Sequence, residues 1–471
     1  MVCGNNVATS AERPNIVYLL CDQWRASATG YAGDPNVRTP NLDRLEKNSL
    51  NLVNAVSVCP VCTPYRAALM TGRYPTSTGM FLNDAHLPES EVCLGEVLKS
   101  AGYATGFIGK WHLDGHGRTA YIPPERRRGW DYWKAAECDH DYNHSHYYTG
   151  NSPVKQFWDG YDAFAETKDA QQYILDHASG SQPFALVVSY GAPHFSLAVA
   201  PPEYTALYPL DTITLPPNVP PQMQASARVQ AHEYYAHCTA LDKCIGDVLG
   251  TLEQMGIAKN TIVVFTADHG EMMGSHGAPP TMKQVPWSEA SNVPFLIRYP
   301  AIQDGRGRMV RTPLTTPDIF PTLLGLAGVK IPGTVEGEDL SPLLRNNKEE
   351  DRAALYMNVS PFAGHGFNHE YRAIRTDRYT YVRSIEGPWF LYDDKQDPNQ
   401  MANLVGNREY VTLQAELDDR LRAELKKIGD DFRPARAYLE EWGYNLTPGK
   451  SLPYADVNQT AVTPKRETTK Q

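Results

Sequence analysis

The amino-acid sequence predicts an α/β protein. A large mainly parallel sheet is sandwiched by helices and followed by a smaller C-terminal α+β subdomain of antiparallel strands plus a helix. Three observations predict it. Four short apolar runs each finish in polar, chemically capable residues, the pattern of buried parallel strands whose C-terminal ends gather ligands. Helical periodicity lies between those runs, and strand–helix alternation builds parallel sheets covered on both faces. After about residue 345 short alternating segments joined by turn residues take over, which signals antiparallel pairing.

The first strand is Ile16-Val17-Tyr18-Leu19-Leu20, closing on Cys21-Asp22-Gln23. Leu94 to Ala101 is an amphipathic helix stopped by Gly102. The second strand, Tyr103 to Gly109, ends at Lys110-Trp111-His112, and the third, Pro183 to Ser189, ends at Pro193-His194. A helix from Ala231 to Met255 stops near Gly256, and the fourth strand, Thr261 to Thr266, ends at Asp268-His269-Gly270. Pro317 to Leu326 is helical, opening on a proline and closing near Gly328. The polar run 346–352 reads as a linker or exposed turn. Strands then follow at Ala354 to Val359, Tyr371 to Arg375 and Tyr379 to Val382, the last two flanking the turn Thr376-Asp377-Arg378. Trp389-Phe390-Leu391-Tyr392 continues this sheet, and Glu409 to Lys427 is a helix. The expected division is 1–13 as a leader remnant, 14–345 as the α/β domain, 352–445 as the C-terminal subdomain and 446–471 as a polar tail.

A chain of 471 residues is too long for one ordinary core. With 44 Lys+Arg against 54 Asp+Glu its net charge is −10, which argues against nucleic acid or an anionic membrane as partner. Attraction for an anionic substrate must therefore be local. No run approaches the roughly 20 apolar residues of a membrane span. The opening Cys3-Gly4-Asn5 reads either as the remnant of a bacterial lipoprotein leader, hence a periplasmic or extracellular lipid-anchored protein, or as a random cysteine; a cytoplasmic location stays open. The 8 cysteines are scattered and make no disulfide framework. The 27 tyrosines and 8 tryptophans supply flat faces that suit sugar rings, although packing is their commoner use.

The most specific motif is Cys62-Thr63-Pro64-Tyr65-Arg66, running on into Ala67-Ala68-Leu69-Met70-Thr71-Gly72-Arg73. Cys59 and Cys62 as a C-x-x-C pair would suggest redox or zinc chemistry, but no second pair completes a zinc site. The whole run resembles the signature of the formylglycine-dependent (type I) sulfatases of the alkaline phosphatase superfamily. That resemblance implies that a formylglycine-generating maturation enzyme oxidises Cys62 to an aldehyde, whose hydrate attacks sulfur. It implies that Asp22, Gln23, Asp268 and His269 bind a divalent metal together with residue 62. Carboxylates with a neutral oxygen donor suit Ca²⁺. Gln23 stands where the family usually has a second Asp, and His269 where many members have Asn; the nitrogen donor keeps Mn²⁺ as the alternative.

In Gly109-Lys110-Trp111-His112 the resemblance assigns Lys110 to a sulfuryl oxygen and the aldehyde hydrate, and His112 to the proton removed when sulfate is expelled. It makes His194 the acid that protonates the leaving group, with Lys283 stabilising charge beside it. Arg66 would hold the hydrate and metal shell, a structural salt bridge being the alternative. Weaker echoes are Thr39 to Leu45, Ala267 to Pro300, and Leu391-Tyr392-Asp393 with Asp397-Pro398 and Asn403-Leu404. The His- and Tyr-rich segment Asp139 to Tyr148 reads as a substrate loop, a surface loop or a second metal site, with Asn143 and His146 as substrate candidates; Asn83, His365 and His369 are further ones. Arg126-Arg127-Arg128 reads as a solvated face or a contact for an anionic polymer.

The expected function is removal of sulfate from a sulfated saccharide. The alternatives are a phosphonate monoester or phosphodiester hydrolase, which Asp22-Gln23-Trp24-Arg25 also resembles, and a non-catalytic glycan-binding relative.

Overall fold

A computed structural model of the chain describes residues 13–195, 197–303, 305–362, 369–447 and 452–453. Cys3, His365 and the polar stretch from Val457 onward lie outside them.

The principal sheet is built from β1 (Asn15–Asp22), β2 (Leu50–Leu52), β4 (Ala104–Lys110), β5 (Tyr132–Ala136), β6 (His146–Thr149), β7 (Gln156–Phe157), β8 (Phe184–Pro193), β9 (Thr261–Ala267), β10 (Phe295–Arg298) and β11 (Arg308–Val310). Their order is β11-β2-β10-β9-β1-β8-β4-β5-β6-β7. The run β9-β1-β8-β4-β5 is parallel throughout. β10 runs antiparallel between β9 and β2, and β6 and β7 add an antiparallel edge. β1 shows why an unbroken apolar run marks a central strand: every residue after Asn15 is buried, so there is no wet face to alternate with.

The Asp162–His177 and Gln224–Gln254 helices pack on each other and on β8. The Cys62–Thr71 helix packs against Leu94–Ser100 and Thr316–Ala327. The long helix begins at Gln224 rather than Ala231, because its polar first turns carry no apolar stripe to reveal them.

Beyond the short pair β3 (Ala55–Val56) and β12 (Leu314–Thr315), four strands form a separate antiparallel sheet in sequence order: β13 (Ala354–Asn358), β14 (Tyr371–Arg375), β15 (Tyr379–Ser384) and β16 (Gly387–Asp393). The Val411–Lys427 helix lies on it and buries Leu417, Leu421 and Leu425, one per turn.

Candidate active site

The four strands with polar C-terminal ends are neighbours at the centre of the sheet, in the order β9-β1-β8-β4. Their ends deliver Asp268, Asp22, His194 and Lys110 to one place. The Cys62–Thr71 helix starts there, with Val61 extended as its N-cap, and it is buried along its whole length. Its first turn is fastened by Thr63, whose N–H donates to Asn83 Oδ1 at 3.0 Å and whose hydroxyl donates to the carbonyl of His112 at 3.0 Å.

Arg66 lies one helical turn after Cys62 and uses its guanidinium across all four strand ends. Nε donates to Asp268 Oδ2 at 3.2 Å, and Nη2 donates to Asp22 Oδ2 at 3.2 Å and Asp268 Oδ2 at 3.1 Å. Nη1 donates to the carbonyl of Lys110 and to Ser189 Oγ, both at 2.7 Å. All of these groups are buried. Two carboxylates this close in a low-dielectric site need a cation between them, and the planar fork of Arg suits that role better than the point charge of Lys.

The Cys62 thiol sits 3.5 Å from His269 Nε2 and 3.7 Å from Asp22 Oδ1. Asp22, Cys62, Asp268 and His269 each bring one ligating atom within 4.8 Å of the others, and all four are buried. His269 Nδ1 donates to the carbonyl of Gly270 at 2.9 Å, which turns the Nε2 lone pair toward the cluster. This donor set fits a divalent cation. Burial and the Asp22 charge raise Asp268 above the usual carboxylate range; burial and Cys62 oppose ionisation of Asp22, but Lys110, His194 and Arg66 hold it low. Gln23 stands beside the cluster. Its backbone N–H donates to Asp268 Oδ1 at 3.0 Å, its amide nitrogen donates to Glu271, and its amide oxygen accepts from Lys283 at 3.3 Å.

Two ammonium groups flank the thiol, Lys110 Nζ at 3.7 Å and Lys283 Nζ at 3.6 Å. Lys110 also donates to Asp22 Oδ2 at 2.5 Å. Burial opposes ionisation of Cys62, yet Lys110, Lys283 and hydrogen bonds to His112 and His194 hold the thiol well below its ordinary range. Lys283 Nζ is 2.7 Å from His194 Nε2, and His194 Nδ1 is 2.5 Å from the carbonyl of Phe195. Burial and the Lys283 charge lower His194 to about 4. His194 is therefore neutral at pH 7, with Nδ1 carrying the hydrogen and Nε2 accepting from Lys283.

His112 lies on the opposite side. Its Nε2 is 2.8 Å from Asp84 Oδ1, and Arg118 pairs with the same carboxylate at 3.2 Å. Burial works against its charged form, but Cys138 and the Asp84 hydrogen bond push it up to about 10. Asp84 carries no motif, and sequence reasoning stopped at its neighbour Asn83. Gln23, Asp84, His112, Thr281 and Gln284 all have positive φ, of 66, 63, 58, 70 and 64°. Such non-glycine conformations cost about 1–3 kcal/mol each and survive where hydrogen bonds over-determine them. Gln284 illustrates this: its N–H donates to the carbonyl of Pro60 at 3.0 Å, its Nε2 donates to the carbonyl of Ser360 at 3.1 Å, and its Oε1 accepts from Phe362 N–H at 2.8 Å.

The other candidates are held as follows. Asn83 caps the Cys62 helix as described. Asn143 is exposed and donates to the carbonyl of Val199 at 3.0 Å. His146 is hydrogen-bonded to Asp139 and lines a cavity of about 20 Å³ beside Lys110, into which Asp162 and Glu166 also face. His146 Nε2, Asp162 Oδ1 and Glu166 Oε2 have no hydrogen-bond partner among the described residues. His369 is exposed and lies against Trp389. The arginine triplet is neither solvated nor free: Arg126 pairs with Asp114 and Arg128 with Glu96, and Arg127 lies over Trp133 at 5.2 Å. His86, Asp114 and His116 form a second cluster of ligand type, but Arg126 already neutralises Asp114.

Comparison with known proteins agrees with this geometry. The family profile Sulfatase matches residues 14–329, and the profile N-sulphoglucosamine sulphohydrolase, C-terminal, matches residues 281–427. The chain is 51% identical to the ulvan-active sulfatase of Formosa agariphila over 95% of its own length and 88% of that protein's. It is 32% identical to the endo-4-O-sulfatase of Bacteroides thetaiotaomicron, over 90% of this chain and 94% of that one. The crystal structure of yidJ from Bacteroides fragilis, classed with the sulfatases, superposes with a TM-score of 0.81 at 30% identity, covering 92% of this chain and 99% of the other.

Proposed function

The chain belongs to the sulfatase family, and on that premise we propose that the cluster around Cys62 is the centre at which it removes sulfate from a sulfated polysaccharide, with ulvan oligosaccharides the first substrates to try. It is a sulfuric ester hydrolase of sulfated glycans. The observation that carries the site assignment is a buried thiol held between two lysines, within ligand distance of two carboxylates and an imidazole.

The family implies formylglycine at position 62 and a metal ion, which together supply a hydrated-aldehyde nucleophile and polarise the sulfuryl oxygens. In our reading Asp22, Asp268, His269 and residue 62 hold the ion, with the Gln23 amide beside them; calcium suits the carboxylates, and manganese is the alternative for the imidazole. Lys110 and Lys283 face the sulfuryl oxygens from two sides and offset their charge. Arg66 fixes Asp22 and Asp268 relative to each other, so it acts through the ligands. Lys283 hands a proton to the departing sugar oxygen and the neutral His194, accepting from Lys283 at Nε2, orients it, which exchanges the roles the resemblance implies for this pair. His112 in its neutral form takes the proton whose removal expels sulfate, and Asp84 stabilises the imidazolium that results. Conversion of Cys62 needs a formylglycine-generating partner, and we place the protein itself in the periplasm or outside the cell. Among the described residues no helix is long and apolar enough to cross a membrane.

The test is a panel of defined sulfated oligosaccharides, ulvan-derived ones included, run beside an aryl sulfate and an aryl phosphodiester, together with the mass of the peptide containing residue 62. Saccharide desulfation that disappears in Cys62→Ala and Cys62→Ser is expected. Faster phosphodiester turnover at the same centre, or full activity in Cys62→Ala, would overturn the reading.

A further inference from the structure

We propose that Phe195 and His140 form the aromatic wall that receives the apolar face of the sugar ring carrying the scissile sulfate, and so act as specificity-determining residues. The inference rests on the saccharide sulfatase reading above and deepens it.

The two rings pack on His194 and on each other, with the His140 and Phe195 centroids 5.6 Å apart. His140 stacks on it at 4.4 Å between centroids with planes 10° apart, and Phe195 lies on it at 4.0 Å with planes 32° apart. Lys283 Nζ is 5.6 Å from the Phe195 centroid while bonded to His194. His140 is itself held, with Nε2 3.5 Å from Cys138 Sγ.

The chemistry of the bond orients the substrate. Sulfur must lie at residue 62, and the ester oxygen must lie where Lys283 and His194 can protonate it. The carbon bearing that oxygen then lies near His194, whose two ring neighbours are Phe195 and His140.

Exposure points the same way. Cys62, His194 and Lys283 are 1%, 2% and 5% exposed, whereas Phe195, whose ring lies on His194, is 37% exposed. A bare phenyl ring there leaves apolar surface in water. Its negative π-face suits the polarised C–H groups of a pyranose, while the ring edges and hydroxyls stay free for polar contacts. The anionic part of the ligand meets lysines and the apolar part meets an aromatic face, so one pocket reads both halves of a sulfated sugar.

The test compares Phe195→Ala, Phe195→Tyr and His140→Ala with the unmodified sequence on whichever sulfated oligosaccharide it desulfates, with inorganic sulfate as a competitive inhibitor that lacks a ring. The expected result for Phe195→Ala is a KM raised about tenfold, equivalent to about 1.4 kcal/mol, with kcat within threefold, sulfate inhibition unchanged and KM restored in Phe195→Tyr. His140→Ala should raise KM in the same direction. An unchanged KM in Phe195→Ala would overturn the wall, as would sulfate inhibition that weakens in step with KM, because the second result signals a collapsed pocket. If the unmodified enzyme desulfates no saccharide at all, the underlying reading falls first and takes this one with it.

Discussion

Replacing Asp84 by Asn removes one negative charge and little volume beside His112. Both side chains are buried, 6% and 1% exposed, and the Oδ1–Nε2 distance is 2.8 Å. A charge-assisted hydrogen bond of this kind is worth about 1.5–3 kcal/mol. At 1.36 kcal/mol per pKa unit, its loss lowers His112 by about 1–2 units. The starting point is the value of about 10 to which Cys138 and Asp84 raise His112 against the cost of burial. A lower pKa lets His112 shed its proton at lower pH, so the acidic limb of the pH–rate profile should move to lower pH by about 1–2 units. The base is also weaker, and the plateau kcat on the alkaline side of that limb should fall about tenfold, within the span usual for general base catalysis. KM should change less than kcat, because the Asp84 carboxylate is bonded to His112 and Arg118. The assay is desulfation of one defined oligosaccharide across roughly pH 6 to 11, a range that brackets both midpoints. Superimposable profiles with kcat within twofold would refute the coupling.

Two further outcomes follow from the geometry. Chelation, or Asp268→Ala, should abolish turnover; in the chelated sample added Ca²⁺ or Mn²⁺ should restore both rate and melting temperature, and full activity after chelation would contradict the ligand set. Asp162→Asn should stabilise the protein at pH 8 more than at pH 5. Burial raises the Asp162 carboxyl to about 7, so the native state keeps a proton that the unfolded chain has already lost above about pH 4, and stability declines as pH climbs through 7. The gain is bounded by about 4 kcal/mol, and equal melting shifts at both pH values would contradict it.

The centre of the fold was legible because its four strands are buried on both faces and each ends in residues that have no ordinary place at a turn. Asp22, Lys110, His194 and Asp268 could be found without coordinates for that reason. Lys283, on a loop, was found by resemblance alone. Asp84 and His140 were not found as site residues. Asp84 enters through a left-handed backbone turn that no composition rule marks, and His140 matters only because β5 carries its loop over His194. The same segment does not reveal how Asn143 and His146 are held, since a run of ligand-type residues says nothing about which way each one faces. Short edge strands such as β6 and β7 left no periodicity to detect.

The Gln284 fastening carries a consequence for how this molecule can be cut or shuffled. The lysine on the leaving-group side is one residue away from a keystone whose amide is gripped by Ser360 and Phe362, beyond the 346–352 run, and whose N–H is anchored to the carbonyl of Pro60, two residues before the nucleophile position. The smaller sheet thus works as a splint. Severed from it, the larger part would keep its nucleophile and its metal ligands but lose the register between the attacking and departing sides of the reaction.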